Sequence, residues 1–267
     1  DIFKDVKTVS FEEAVNSGKI EFFGEEFDEG YLENVLKQQV NKDAVKKVAD
    51  DFKIIYTPLH GSGNVPVRKM LSKVGFKNVL LVEEQLIPDG NFSTVKSPNP
   101  ENKEAFDMAI EIAKANDVDL IIGTDPDCDR VGIVVRDNNG EYIALTGNMT
   151  GALLTEYILN GRKENNNLPE NGVVIKTIVT TYMADVICKA YGVEVMNVLT
   201  GFKFIGEKIK EFEEKKNHTY LFGFEESYGY LAGTHARDKD AVVATMLITE
   251  MAAWYKEKGM SLYEGLM

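Results

Sequence analysis

Short apolar runs alternate with amphipathic stretches along most of the chain. Residues 52–56 (FKIIY) predict a strand, followed by the turn-rich Thr57-Pro-Leu-His-Gly-Ser-Gly63. Residues 64–74 then predict a helix, with Pro66 accommodated in its first turn. A short buried strand at 79–82, a helix at 102–116 with Glu101 and Glu104 near its positive end, and a strand at 120–122 come next. Residues 131–135 and 142–145 are β runs around Asn138-Asn139-Gly140, a hairpin signal. The pattern then restarts with a helix at 148–159, a strand at 173–177, a helix at 184–191 and a strand at 193–198. A helix at 202–216 carries Phe202, Ile205, Ile209 and Phe212 on one stripe, and a strand at 220–224 and a helix at 241–255 close the series.

Strands alternating with helices of this length mean βαβ units. The expected fold is α/β: two successive α/β domains with mainly parallel mixed sheets flanked by helices. The expected organisation is a connector and opening helix over 1–40, a first domain over 41–145 and a second over 146–267, joined near Leu145-Thr146-Gly147.

With 267 residues there is room for one or two domains, and a 44% hydrophobic content is enough for real cores. The 43 acidic against 30 basic residues give a net charge of −13, which argues against a nucleic-acid coat and against anionic membrane surfaces. A small phosphorylated ligand stays possible, since a few local cations reverse the field inside a cleft. Two cysteines, Cys128 and Cys188, without CxxC or zinc-ligand spacing, point to reduced thiols and a cytoplasmic setting. No apolar stretch is long enough for a membrane helix, and no signal peptide is visible. The chain opens on Asp1 rather than Met, which suggests that this is not the natural start.

In open α/β sheets ligands sit beyond the carboxyl ends of the strands, which singles out residues 57–63, 123–130, 199–201 and 225–240. The densest chemistry is Gly123-Thr-Asp125-Pro-Asp127-Cys-Asp129-Arg130. Three carboxylates at i, i+2, i+4 need a cation or water to neutralise them. Their hard oxygens suit Mg²⁺ or Ca²⁺, and Arg130 supplies a counter-charge. An EF-hand is excluded, because Arg130 and Arg136 stand where its Gly and Glu belong. Asp127-Cys-Asp129-Arg130-Val131 also loosely matches the DxDxV pattern of aspartyl-phosphate phosphatases, with Asp127 as nucleophile, so that alternative stays open.

Gly61-Ser-Gly63-Asn-Val-Pro66 has Pro where a dinucleotide fingerprint has its third Gly, and no Walker A motif occurs. His60 reads as a loop histidine bonded to nearby backbone. Leu199-Thr200-Gly201-Phe202 precedes a helix, where backbone N–H groups favour phosphate or sugar oxygens; an ordinary Thr N-cap explains it as well. Glu225-Glu226-Ser227 follows a strand, and Thr234-His-Ala-Arg-Asp-Lys-Asp240 is a charged loop before a helix. Together these grip a polyol and a phosphate, or they are an N-cap and a solvated charge run. Ser97 reads as part of a turn, and Cys128, set among carboxylates, is a poor nucleophile.

Taken in order, Thr57-Pro-Leu-His-Gly, Ser97-Pro-Asn-Pro-Glu101, Asp125-Pro-Asp-Cys-Asp-Arg130, Leu199-Thr-Gly-Phe-Lys-Phe-Ile-Gly206, Gly223-Phe-Glu-Glu-Ser-Tyr-Gly229 and Ala236-Arg-Asp-Lys-Asp240 resemble the α-D-phosphohexomutase superfamily, near its bacterial phosphoglucomutases and phosphomannomutases and their phosphopentomutase-like members. The resemblance implies an intramolecular phosphotransferase with four domains around a cleft. Such an enzyme moves a phosphoryl group between C1 and C6 of a hexose, or C1 and C5 of a pentose, through a phosphoserine and a sugar bisphosphate. It further implies Mg²⁺ on Asp125, Asp127 and Asp129, with Arg130 and Lys239 near the transferring group. Thr200 and Gly201 would form the sugar-recognition loop, and Glu225 and Ser227 would meet the sugar hydroxyls. The family's serine loop is absent: none of the eight serines lies in a Ser-His-Asn-Pro core. The resemblance therefore implies the two central domains alone, inactive without the N- and C-terminal domains, or a non-catalytic sugar-phosphate-binding module.

Overall fold

The computed structural model describes residues 2–267. After a 3-10 turn at Ile2–Asp5 come helices α1 (Phe11–Asn16), α2 (Glu25–Leu36) and α3 (Lys42–Val48). Asp1, in the segment read as a connector, lies outside the described residues. Within the stretch expected as connector and opening helix, α2 buries Leu32 and Val35 in the core.

The first sheet contains β1 (Lys53–Thr57), β2 (Asn78–Leu81), β3 (Leu120–Thr124), β4 (Val131–Arg136) and β5 (Tyr142–Ala144). Between β1 and β2 runs α4 (Asn64–Val74), and α5 (Asp107–Asn116) precedes β3. The strand order is β2-β1-β3-β4-β5; the first three run parallel, β4 pairs antiparallel to β3, and β5 pairs antiparallel to β4. Ile54 and Tyr56 of β1 enter the main core while Ile55 enters a second core under α5. Burial on both faces is why β1 reads as a continuous apolar run rather than an alternation.

The second half begins with α6 (Gly147–Glu164) and continues through β6 (Gly172–Thr177), α7 (Met183–Tyr191), β7 (Glu194–Val198), α8 (Phe202–Lys215), β8 (Thr219–Phe224), β9 (Tyr230–Leu231), α9 (Ala241–Glu257) and α10 (Leu262–Leu266). Its sheet is ordered β7-β6-β8-β9, parallel except for β9. The two α/β units are as expected, mixed sheets included.

One helix fuses the halves. α9 is buried on nearly every side, because it packs on α3, α4, β3 and β4 of the first half as well as on α6 and β9 of its own. A helix apolar all round belongs in such an interior, and a single hydrophobic cluster accordingly spans both sheets.

The structure corrects the helix expected at 102–116. Lys103–Phe106 is a 3-10 turn, and the α-helix starts only at Asp107. Phe106 is pinned against the sheet: a Cβ on Gly123 would come 2.7 Å from its ring. Glu101 therefore lies outside the helix and turns to Arg130 instead.

Candidate active site

The aspartate loop runs from the carboxyl end of β3 to the start of β4, and Asp125 organises it. Asp125 is fully buried. Its Oδ1 accepts the backbone N–H groups of Asp129 (3.0 Å) and Arg130 (2.9 Å), and its Oδ2 accepts Arg130 Nε at 2.7 Å. Burial pushes its carboxyl up to about 6, against the pull of these hydrogen bonds. Asp127 is exposed and Asp129 half-buried; one oxygen from each of the three aspartates lies within 4.8 Å of the others. Cys128 takes a positive φ of 60° at the apex, and burial pushes its thiol up to about 12, so it is no nucleophile.

The loop after β1 holds this turn in place. Ser62 N–H donates to Pro126 O at 2.8 Å, and a Cβ on Gly61 would come 2.4 Å from Pro126 Cα. His60 bonds the Ile87 carbonyl (2.8 Å) and the Thr94 hydroxyl (2.7 Å), which fits its reading as a structural loop histidine.

Three contacts dock the aspartate loop onto the second half. Val131 N–H donates to Tyr228 O (3.2 Å), and Ala241 N–H donates to Cys128 O (3.1 Å). Lys239 Nζ lies 2.9 Å from Asp129 Oδ2 and 3.0 Å from Asp238 Oδ1. Burial works against the Lys239 charge, yet its acidic partners hold its pKa above the ordinary lysine value. Arg130 completes the cluster by reaching Glu101 at 3.1 Å.

Behind Lys239, Asp240 caps α9 by accepting from Val242 N–H and Val243 N–H. The same carboxylate accepts the Tyr31 hydroxyl of α2 (2.8 Å) and contacts His235 Nε2 (2.8 Å).

The remaining candidates gather at the carboxyl ends of the second sheet. Gly201, whose φ of 119° disfavours any side chain, donates its N–H to Glu225 Oε1 at 2.9 Å. This bond ties the 199–201 loop to the 225–227 turn. Glu225 is buried, and burial raises its carboxyl pKa, partly offset by the Gly201 bond and by Lys239. Thr200 is exposed and Ser227 half-buried. Glu226 anchors the turn by accepting the Thr177 and Thr180 hydroxyls, each at 3.2 Å. Lys239 links the two sets, since its ammonium also lies 5.8 Å from the centre of the Phe202 ring.

The structure thus brings together Asp125, Asp127, Asp129, Arg130 and Lys239, and separately Gly201 and Glu225, with Lys239 between them. Sequence reasoning missed two participants: Glu101, placed near a helix terminus, turns to Arg130, and Tyr31, in the segment read as connector and opening helix, reaches Asp240. Asp240 closes the loop read as an N-cap and a solvated charge run, and it is the N-cap of α9.

Sequence comparison settles the family. The profile "Phosphoglucomutase/phosphomannomutase, alpha/beta/alpha domain II" matches residues 29–140, and that of domain III matches residues 146–267. The chain belongs to the phosphoglucomutase/phosphomannomutase family. It is 44% identical over 216 residues to a phosphoglucomutase of Staphylococcus haemolyticus, and 40% identical over 239 residues to one of Staphylococcus epidermidis. These matches cover 81% and 86% of this chain but only 38% and 43% of the relatives. Parafusin, the phosphoglucomutase of Paramecium, superposes with a TM-score of 0.66 at 19% identity over 89% of this chain and 40% of its own, a likeness in fold. The order of domains II and III in this family corresponds to the two halves of the structure.

The aspartate triad suits a small divalent cation. Its donors are hard oxygens, the Asp125 carboxylate is pre-oriented by backbone N–H groups, and among the described residues the exposed Asp127 carboxylate is not tied up in a hydrogen bond or ion pair. No helix among the described residues is long and apolar enough to cross a membrane.

Proposed function

We propose that this chain supplies the cation-binding and sugar-recognition portion of a phosphosugar mutase, an intramolecular phosphotransferase acting on hexose or pentose phosphates and their bisphosphates. One observation carries the proposal: the Lys239–Asp129 ion pair joins the aspartate loop of one half to the charged loop of the other, beside the Gly201–Glu225 bond. Phosphoryl transfer needs such a convergence of cations and hydroxyl acceptors, because catalysis rests on positioning and on spreading negative charge.

Asp125, Asp127 and Asp129 would hold Mg²⁺, which when bound neutralises charge on the transferring phosphoryl group. Arg130 and Lys239 add positive charge beside the transferring group. Thr200, Gly201, Glu225 and Ser227 orient the sugar; Glu225 accepts hydroxyl protons, with one oxygen already fixed by Gly201 N–H. The serine that carries the phosphoryl group would come from the part of the relatives outside the matched segment, so this chain alone binds without turning over. The two free cysteines suit a reducing, cytoplasmic setting.

The relatives' phosphoglucomutase activity makes glucose 1-phosphate the first ligand to test. In ³¹P and ¹H NMR with Mg²⁺, the chain is expected to perturb glucose 1-phosphate without converting it, and Glu225→Ala or Thr200→Ala to abolish the perturbation. Perturbation indifferent to both variants overturns the sugar-site reading. Isomerisation by the chain alone overturns the division of labour.

A further inference from the structure

We propose that Lys239 and a divalent cation are alternative counter-ions for Asp129, so that filling the aspartate loop releases the Lys239 ammonium toward the Thr200-Gly201 loop. This inference rests on the reading of that loop as a cation site.

The three carboxylates are not equivalently engaged. Asp125 is held by its own loop and by Arg130, and Asp127 faces solvent. Asp129 alone has an oxygen taken by a side chain of the other half, with Lys239 Nζ at 2.9 Å. A cation drawing one oxygen from each aspartate has to share that carboxylate with an ammonium. Like charges a few ångströms apart repel even at high effective dielectric. The doubly charged ion meets three carboxylates, whereas Lys239 meets Asp129 and Asp238, so the ammonium is the one to yield.

Its retreat is already prepared. Lys239 keeps Asp238 Oδ1 at 3.0 Å and lies near the face of Phe202, the residue directly after Gly201. The stem of Lys239 runs across Gly229, where a Cβ would come 2.2 Å from Cδ and 2.7 Å from Cγ. Gly229 is therefore a positioning residue: its missing side chain is the slot through which Lys239 reaches Asp129.

The consequence is ordered binding. Positive charge is offered to the sugar loop, where a phosphorylated ligand would meet it, only after the cation has arrived. By linkage, an anionic ligand that draws Lys239 away strengthens cation binding by the same factor.

The test is calorimetric titration of the chain with Mg²⁺. Lys239→Met is expected to bind roughly three- to tenfold tighter than wild type, the effect of deleting one nearby like charge in a partly exposed site. Gly229→Ala, which crowds the stem out of its slot, shifts affinity in the same direction, and Lys239→Arg leaves it nearly unchanged. A merely structural role for Lys239 predicts weaker binding instead. Reductive methylation of the wild-type protein, followed by mass spectrometry, is expected to label Lys239 faster once Mg²⁺ is added; this readout holds even if a variant fails to fold. Wild-type binding that Asp127→Asn abolishes but Lys239→Met leaves unchanged or weakens, with unaltered Lys239 labelling, overturns the interlock and spares the cation site. Absence of Mg²⁺ binding by the wild type, or binding indifferent to Asp127→Asn, overturns both.

Discussion

Replacement of Glu250 tests how the opening segment is fastened to the fold. This carboxylate sits fully buried on α9. Its Oε1 accepts Val40 N–H (2.8 Å), Asn41 N–H (2.9 Å) and the Tyr157 hydroxyl (2.9 Å), and its Oε2 accepts the Gln39 amide at 2.9 Å. Glu250→Ala strands four donors. Each buried unsatisfied group costs about 1–3 kcal/mol, but Gln39, Val40 and Asn41 are only half-buried and recover part of this through water. Relief of a buried charge offsets a further share. The expected net loss is about 3 kcal/mol, a large fraction of the roughly 5–15 kcal/mol that holds a domain folded. Glu250→Gln keeps an acceptor for the backbone pair and is expected to cost about 1 kcal/mol.

The pH dependence has a definite sign. Burial raises the Glu250 carboxyl pKa above its ordinary value, against the four hydrogen bonds, so the folded state binds the proton more tightly than the unfolded state. Wild type therefore loses stability relative to Glu250→Gln as pH rises upward from about 4.3 through the folded-state pKa. Urea denaturation across that range, with hydrogen exchange at Val40 and Asn41, measures both effects. An alanine variant within 1 kcal/mol of wild type, with unchanged exchange at those two amides, refutes the clamp.

Tyr31→Phe removes the hydroxyl that meets both oxygens of Asp240 at 2.8 and 2.9 Å, and is expected to cost about 1–2 kcal/mol in thermal unfolding while the fold is retained. Gly61→Ala drives a Cβ into the Pro126 backbone; about 1–3 kcal/mol of stability and a several-fold loss of Mg²⁺ affinity are expected, checked by denaturation and calorimetry. Because burial holds Asp125 near 6, protons compete with the cation there, and apparent Mg²⁺ affinity is expected to fall as pH drops below about 6, as read in titrations at several pH values.

The strands were legible because burial on both faces leaves continuous apolar runs such as Ile54-Ile55-Tyr56 and Leu120-Ile121-Ile122. The helix at 241–255 was legible as a helix, but its burial on nearly every side was not read from the sequence, because its partners lie in both halves. α3, α10 and the two-residue β9 escaped notice because such short elements carry almost no periodicity and exist through tertiary contacts. The aspartate loop stood out because three clustered carboxylates at a strand end demand an explanation. The Lys239–Asp129 pair could not be seen, since nothing local to either residue names a partner in the other half. Glu101 misled for a related reason: a helix terminus is a sufficient local home for a carboxylate, and only the pinned Phe106 turn removes it.

The most direct test of the central claim is to add Mn²⁺, as a paramagnetic stand-in for Mg²⁺, to the isotopically labelled chain and to observe which amide resonances broaden first. The account predicts selective broadening across Asp125–Arg130 and at Lys239–Ala241, abolished in Asp127→Asn. Broadening that begins elsewhere on this acidic surface, or that persists in the variant, contradicts it.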